Sequence, residues 1–401
     1  MFGYLTLLSP PTSMEEVSTR CAGTRIVSVA ADHQFVYNCD SRVFMQAGEA
    51  PSELLEEHHV RQSRPLYVVT ASIMSVPFRV VAPIGDTVVG KPVFLAYLTM
   101  NAALLVAAGV IFDRLVGPPL LATSALGALL VANYLVKAFL WTPHTQMFNV
   151  LTPLVGVALV FAAVRHRWSI PSTALIGLGI GIASLAYGAF IGVAVAVALG
   201  ILAGHWGDGS WRRAAPRVSA LLIGFAIPQV LWMTLARLVA GSYYSHELAS
   251  GITPRRPFLW VWDSLDEGPA QLASTAWANL VDFTTVSAPV VWAPLTLVVV
   301  LVAVAYLTGV RVDSLTQRDR VLLLAVALMF VCYVPFLYLG GFYRWRLSWS
   351  LVPLLLLLAA QLTRLASNEL TRRRAALLTC GVLAFCAAWI GVTLATPGPY
   401  G

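Results

Sequence analysis

The chain has 401 residues, of which 58% are hydrophobic and only 11% are charged. A typical soluble domain carries about a quarter of its residues as Asp, Glu, Lys and Arg. So little charge excludes a soluble enzyme, a disordered scaffold and a secreted disulfide framework, and predicts a chain that folds in lipid. The net charge of +7 then indicates basic loops retained in the cytoplasm and not a nucleic-acid partner.

The first 91 residues are acid-rich and contain no apolar run long enough to cross a bilayer. We predict that residues 1–91 form an outer acidic loop with interfacial amphipathic segments. The moderately apolar segment Leu66–Ile84 contains Arg79, and a central arginine costs several kcal/mol in lipid. This favours an interfacial position, which requires a further span before Met1. If the segment spans instead, residues 1–65 lie in the cytoplasm.

Ten later runs approach the length of about 20 apolar residues that a membrane-spanning helix needs. The apolar stretch over residues 173–204 is too long for one span, so we predict two short helices that turn near Tyr187 and Gly188 and pack through small residues. The fold class is therefore all-α, a bundle of about ten spans: about six in residues 92–240, an outer loop in 241–287 and about four in 288–401. The runs are Pro92–Phe112, Pro119–Leu140, Met147–Val164, Thr173–Tyr187, Phe190–Gly204, Val218–Ala240, Pro289–Thr308, Val321–Gly340, Leu347–Thr363 and Ala375–Ala395.

Alternate connections between these runs are rich in arginine. The positive-inside rule places those connections in the cytoplasm. His144, the loop over residues 241–287 and the Arg344–Arg346 segment then lie on the outer face. The arginines of the basic connections are Arg114, Arg165, Arg167, Arg212, Arg213, Arg217, Arg311, Arg318, Arg320, Arg364, Arg372, Arg373 and Arg374.

Polar residues at the predicted outer boundary are candidates for function. Asp32 and Asp40 are two carboxylates with aromatic residues between them, suited to a general base and a metal or substrate ligand, or to a solvated acidic face. His144 lies in a short outer loop, where it could bind a phosphate or a sugar hydroxyl, or be an ordinary interfacial residue. The adjacent His58 and His59 point about 100° apart on a helix and have no third ligand at useful spacing, so we do not expect them to bind a metal. The sequence indicates no cofactor, and a divalent metal is possible but unsupported.

The segment Tyr343–Arg346 carries two arginines on the predicted outer side, against the charge bias of the other loops. Cytoplasmic retention therefore does not explain them. A guanidinium group at headgroup level binds phosphate through two hydrogen bonds, which favours an anionic ligand over simple contact with lipid headgroups. The chain contains no nucleotide-binding motif, so a lipid phosphate is the expected activated carrier.

The chain resembles polytopic glycosyltransferases of the GT-C fold in its acidic outer segment, the Arg64-Pro65-Leu66 piece, and the run from Tyr343 to Pro353. The resemblance implies a polyprenyl-phosphate-linked sugar as donor, with Asp40 as the base for the acceptor hydroxyl and Asp32 as second candidate. It also implies that Arg344 and Arg346 hold the donor phosphate, assisted by His144, with Tyr343 and Arg64 beside them. The family's first span, ahead of the acidic loop, has no counterpart in this chain.

The resemblance implies as partners a polyprenyl-phosphate-linked sugar donor, a glycan, lipid or protein acceptor, and the lipids of a bacterial plasma membrane. Three alternatives stay open. A transporter or flippase would place ionisable residues near the bilayer midplane, where this chain has few. A polymerase or ligase of lipid-linked glycans would centre on His246, Arg255 and Arg256. The third alternative is an inactive structural subunit.

Overall fold

The computed structural model describes residues 25–30, 33–37, 39–81, 88–118, 120–166, 168–206, 209–245, 256–311, 315–341 and 343–396. These ranges form a bundle dominated by α-helices and joined by short turns and 3₁₀ segments. The helices are α1 (Cys39–Glu49), α2 (Pro65–Val81), α3 (Pro92–Val116), α4 (Leu121–Ala128), α5 (Tyr134–Phe139), α6 (Phe148–Arg165), α7 (Ile170–Ser184), α8 (Phe190–Trp206), α9 (Trp211–Ala240), α10 (Trp260–Asp266), α11 (Pro269–Leu307), α12 (Gln317–Leu339), α13 (Trp345–Ser348), α14 (Val352–Glu369) and α15 (Arg372–Ala395).

Seven helical segments in the described ranges are long and apolar enough to cross a membrane, which makes the chain a multi-pass membrane protein. Three further helices, α2, α7 and α8, are apolar but shorter. The predicted count of about ten spans therefore exceeds the seven that length and composition support. The seven are Pro92–Val116, Thr145–Arg165, Arg212–Ala240, Pro269–Leu307, Gln317–Leu339, Trp345–Glu369 and Arg372–Ala395.

The acid-rich N-terminal region contains more regular structure than a loop. Two strands, β1 (Arg25–Ala30) and β2 (His33–Tyr37), form an antiparallel hairpin, an addition to the all-helical prediction. Helix α1 follows directly and carries Asp40 in its first turn, where a negative charge suits the positive end of the helix dipole. Helix α2 covers most of the predicted interfacial segment.

The predicted span over Pro119–Leu140 is broken into α4 and α5. Asn133 causes the break, because its side chain accepts a hydrogen bond from the Val136 amide at 3.0 Å and donates to the Leu130 carbonyl at 2.8 Å. An asparagine that bonds to nearby backbone in this way ends one helix and begins the next. Every residue from Leu135 to Leu154 is buried, so the broken segment lies in the centre of the molecule.

The segment predicted as an outer loop over residues 241–287 is helical from Pro269 onward. Helix α11 begins at Pro269 instead of the predicted Pro289 and continues through Pro289 and Pro294. A proline removes one helical hydrogen bond without ending a helix whose faces pack against neighbours. Helix α11 does pack, since it contacts α14, and Ser287 Oγ lies 2.8 Å from Ser348 Oγ.

The predicted pair of short helices with a turn at Tyr187 and Gly188 is confirmed as α7 and α8. Helix α7 also packs closely along α9. A Cβ atom at Gly177 would collide with the Leu221 carbonyl oxygen, and one at Gly181 with the Phe225 carbonyl oxygen. These glycines therefore permit direct backbone contact between the two helices, as small residues do in membrane bundles.

Helix α3 fixes the loop that carries His144. The buried Asn101 side chain donates to the carbonyls of Leu140 and Thr142, both at 3.0 Å. Tyr97, one turn earlier on α3, donates its hydroxyl to the Phe44 carbonyl of α1 at 2.9 Å. One helix thus holds both α1 and the loop before α6, and brings Asp40 and His144 to one place.

Candidate functional site

Asp40 lies at the centre of a charged cluster. Its Oδ1 atom accepts a hydrogen bond from Arg61 Nη2, and its Oδ2 atom lies 3.3 Å from His144 Nε2. The Asp40 side chain is 34% exposed, whereas those of Arg61 and His144 are 6% and 3% exposed. The carboxylate is therefore the accessible member of the group, and its two hydrogen-bonding partners are buried.

Arg61 is fixed in place by an aromatic ring and by a neighbouring helix. Its guanidinium carbon lies 4.3 Å from the centroid of the Phe44 ring, within the range of a cation–π interaction. The adjacent Gln62 donates to the Leu54 carbonyl at 3.0 Å, and its own carbonyl accepts from the Trp232 indole at 2.7 Å. The connection before α2 is thereby tied to α9.

His144 is enclosed by aromatic side chains. Its ring centroid lies 5.9 Å from that of Phe44 and 5.2 Å from that of Phe139, and its carbonyl accepts from the Tyr67 hydroxyl at 3.1 Å. Burial lowers the pKa of His144 to about 4, although the nearby Asp40 carboxylate opposes this shift. At neutral pH the imidazole is therefore uncharged.

Asp40 is ionised under the same conditions. Burial acts to raise its pKa, but the hydrogen bond with His144 and the positive charges of Arg61 and Arg346 outweigh burial and hold the pKa well below its usual range. Because an ionised carboxylate only accepts hydrogen bonds, the His144 proton belongs on Nε2. Nδ1 is buried and has no hydrogen-bond partner among the described residues.

Two further arginines complete the cluster. Arg64 Nη1 donates to Thr145 Oγ1 at 2.7 Å, next to His144. Arg346 is half-buried, and its charge lowers the pKa of both Asp40 and His144. The cluster therefore combines one carboxylate with three guanidinium groups and a neutral imidazole, a net positive site suited to an anion such as a phosphate.

A polar side chain at the start of α6 anchors the Arg346 segment. Asn149 Nδ2 donates to the Arg346 carbonyl at 2.8 Å and to Gln146 Oε1 at 2.6 Å. Its Oδ1 atom accepts from the Tyr187 hydroxyl at 2.5 Å. Asn149 thus joins α6, the turn between α7 and α8, and the chain before α14, which are distant in sequence.

The structure brings together four of the residues predicted from sequence: Asp40, His144, Arg64 and Arg346. Arg344 is exposed, and the Tyr343 hydroxyl donates to the Tyr338 carbonyl at 2.6 Å, a contact that supports the backbone. Asp32 lies outside the described residues, as do His246 and Arg255 of the polymerase alternative.

Sequence reasoning missed the roles of Arg61, Asn149 and Tyr187. Arg61 stands three residues before Arg64, in a charged stretch that is typical of a solvated face. Asn149 offered a signal, because it is a polar residue in the first turn of an apolar run. Nothing near Tyr187 distinguishes it from an interfacial aromatic residue.

Comparison of the chain with known protein families, curated proteins and solved structures found no match. Within the described part of the chain, no group of three or more His, Cys, Asp or Glu side chains is placed to hold a metal ion. The geometry and charge of the cluster around Asp40 are the features that indicate a function.

Proposed function

We propose that the protein is a membrane glycosyltransferase of the GT-C type that transfers a sugar from a polyprenyl-phosphate donor to a hydroxyl acceptor. The observation that carries the proposal is the accessible Asp40 carboxylate among Arg61, Arg64, Arg346 and the neutral His144. To bind a lipid phosphate, a membrane protein needs cationic side chains at the end of its apolar bundle. To remove the proton of an acceptor hydroxyl, it needs an ionised carboxylate beside those cations.

In the proposed reaction, the acceptor oxygen attacks the anomeric carbon of the donor sugar while the bond from that carbon to the phosphate oxygen breaks. The polyprenyl phosphate leaves with the electron pair, and Arg64 and Arg346 stabilise its negative charge. The hydroxyl proton passes to the Asp40 carboxylate and from there to solvent. His144 keeps Asp40 in position through its Nε2 hydrogen bond and adds no charge of its own.

We further propose that the cluster faces the outer side of a bacterial plasma membrane. Several arginines lie at the helix ends remote from the cluster, including Arg114 and Arg165 at the last turns of α3 and α6. Arg318 donates to the Arg114 carbonyl at 3.1 Å, so α12 begins on that same side. By the positive-inside rule this side is cytoplasmic.

The shorter helices fit the same topology. The Leu66 amide donates to the Leu185 carbonyl at 3.3 Å, so the start of α2 lies at the turn between α7 and α8. We propose that α7, α8 and the broken pair α4–α5 also cross, which gives about ten crossings. Helix α2 then lies along the outer boundary, with exposed apolar residues Ile73, Val76 and Val80 toward lipid.

The test is transfer by the purified full-length protein in liposomes with a panel of labelled polyprenyl-phosphate sugars and envelope glycan or lipid acceptors. Asp40→Asn should reduce transfer by about 10²-fold or more, because it removes the proton acceptor without changing side-chain shape. Glu49→Gln is the matched control: Glu49 is an exposed carboxylate on the same helix that pairs with Lys91 at 2.7 Å. Full activity in Asp40→Asn would refute the assignment.

The alternatives give other results in the same experiment. A transporter or flippase would move the lipid across the bilayer without forming a glycosidic bond, and an inactive subunit would bind no donor. A glycan polymerase or ligase would form products, but Arg256→Ala would then reduce transfer as strongly as Arg346→Ala. We expect Arg346→Ala to raise the donor KM and Arg256→Ala to leave it unchanged.

A further inference from the structure

We propose that the bond from Arg61 to Asp40, which we call the latch, holds the carboxylate in the ligand-free protein. A phosphate-bearing ligand breaks this bond by binding the Arg61 guanidinium in place of Asp40. The inference rests on the proposed function, since it takes a polyprenyl phosphate as that ligand. Its new content is an order of binding. The donor enters first, and its phosphate frees the carboxylate for the acceptor hydroxyl.

Both carboxylate oxygens of Asp40 have protein partners. Arg61 Nη2 bonds to Oδ1, and His144 Nε2 lies 3.3 Å from Oδ2. A carboxylate bound in this way is a weak base, and proton transfer is most effective when the pKa of the base lies near the working pH. The arrangement therefore stabilises Asp40 but does not suit the proton transfer in the proposed reaction.

Of the two partners of Asp40, Arg61 is the one that can exchange the Asp40 carboxylate for a phosphate. Its guanidinium carries five N–H donors, and the Phe44 ring 4.3 Å away holds it at the site whichever anion it binds. Arg64 and Arg346 already make the surroundings positive, so a phosphate enters a site that attracts it. Charge-assisted hydrogen bonds to phosphate oxygens then compete with the bond to Asp40.

The exchange of Arg61 from Asp40 to a phosphate has a measurable effect on the affinity for phosphate. If the Asp40 carboxylate competes with phosphate for Arg61, then removal of the carboxylate charge must strengthen phosphate binding, because coupling between two sites is reciprocal. The isosteric change Asp40→Asn is therefore expected to reduce transfer by about 10²-fold or more and at the same time to tighten donor binding. A residue with a purely structural role would have no such opposite effects.

The experiment measures the affinity of the purified full-length protein in detergent for a short-chain polyprenyl phosphate. We expect Asp40→Asn to bind this probe about 5-fold or more tightly than the wild type. Glu49→Gln changes the net charge by the same amount on the same helix, at an exposed pair with Lys91, and should leave the affinity unchanged.

A double-mutant cycle then isolates Arg61. Arg61→Met keeps an apolar chain over Phe44 and removes the guanidinium. We expect it to weaken binding by about 3-fold in the wild type and by about 10-fold or more in the Asp40→Asn background, where Arg61 is already available to the phosphate. If thermal unfolding shows that Arg61→Met does not fold, Arg61→Lys replaces it, since lysine keeps the charge but loses the planar fork of donors.

The outcomes separate the latch from the proposed function. Wild-type protein that does not bind the probe would overturn both the proposed function and the latch. Wild-type binding with equal or weaker binding by Asp40→Asn would overturn the latch alone. The same loss from the Arg61 variant in both backgrounds would show that Arg61 contacts the phosphate without exchanging partners, and would also overturn it.

Discussion

At the scale of single residues, the cluster is defined by which groups carry charge. His144 is neutral because aromatic rings and the protein interior exclude water from its imidazole, while Asp40 beside it is ionised because arginines surround it. The pair therefore presents one negative charge at neutral pH. A neutral imidazole that donates from Nε2 orients the Asp40 carboxylate without adding positive charge. The positive charge of the cluster therefore comes from the arginines.

The state of His144 predicts how stability depends on pH. Its pKa is about 4 in the folded protein and about 6.5 when unfolded. Between these values only the unfolded chain binds the proton, so acidification favours unfolding, by up to about 3 kcal/mol across the window. We expect the unfolding midpoint temperature in detergent to fall from pH 7 to pH 4.5, and to fall less steeply in His144→Gln.

His58→Gln is the control for that measurement, because the His58 side chain is 63% exposed. It should reproduce the wild-type slope. Equal slopes in the wild type and His144→Gln would contradict the account of His144 as a buried neutral histidine.

The site residues show how far sequence reasoning reaches at this scale. Asp40 and His144 were predicted because polar residues at the outer boundary of a membrane bundle are candidates for function, and Arg346 because it opposes the charge bias of the loops. Arg64 was predicted only through the resemblance to a known family. Arg61 was missed because its burial depends on Phe44 and on the contact of Gln62 with α9, neither of which is local in sequence. Charge alone did not distinguish Arg61 from Arg344, which is exposed.

At the scale of elements, the contact between α7 and α9 depends on glycine. Gly177 and Gly181 face the backbone of α9, whereas a Cβ atom at Gly179, on the same helix, would have nothing within 4 Å. The two kinds of position differ in packing and not in helix propensity. They provide a direct comparison within one helix.

We expect Gly177→Ala to lower the unfolding midpoint temperature, because the added methyl group forces α7 and α9 apart at a cost of about 1–3 kcal/mol. Gly179→Ala should be neutral or slightly stabilising, because alanine favours a helix over glycine. Equal midpoints for the two variants would contradict the close backbone contact.

The helices also show where the length of an apolar run fails to predict the structure. The lengths of most apolar runs predicted helices correctly, yet the break in Pro119–Leu140 depends on hydrogen bonds of Asn133 that hydropathy does not record. Lys137 lies inside that run and is buried. Its ammonium group donates to the Thr393 carbonyl at 2.6 Å and to the Leu394 carbonyl at 3.2 Å, at the end of α15. A partner so distant in sequence could not be predicted from the run itself.

At the scale of the whole molecule, the fold places the charged cluster at one end of the bundle and the basic connections at the other. Arg364 pairs with Asp319 at the basic end, where α14 ends and α12 begins. Gln361 donates to the same carboxylate at 2.8 Å. Sequence predicted this polarity from arginine counts, because the positive-inside rule needs no knowledge of tertiary contacts.

Labelling with a membrane-impermeant maleimide tests that polarity. In a background without the five native cysteines, Glu57→Cys, at an exposed position four residues before Arg61, should react in intact cells. Arg373→Cys, at the exposed start of α15, should react only after the membrane is opened. The reverse pattern would place the cluster in the cytoplasm and contradict an outer-face reaction.

The most direct measurement is an experimental structure of the full chain in lipid nanodiscs with a polyprenyl phosphate bound. We predict that the phosphate contacts the guanidinium groups of Arg346 and Arg61, and that Arg61 no longer bonds to Oδ1 of Asp40. A phosphate bound elsewhere on the molecule, with the Arg61–Asp40 pair intact, would contradict both the proposed function and the latch.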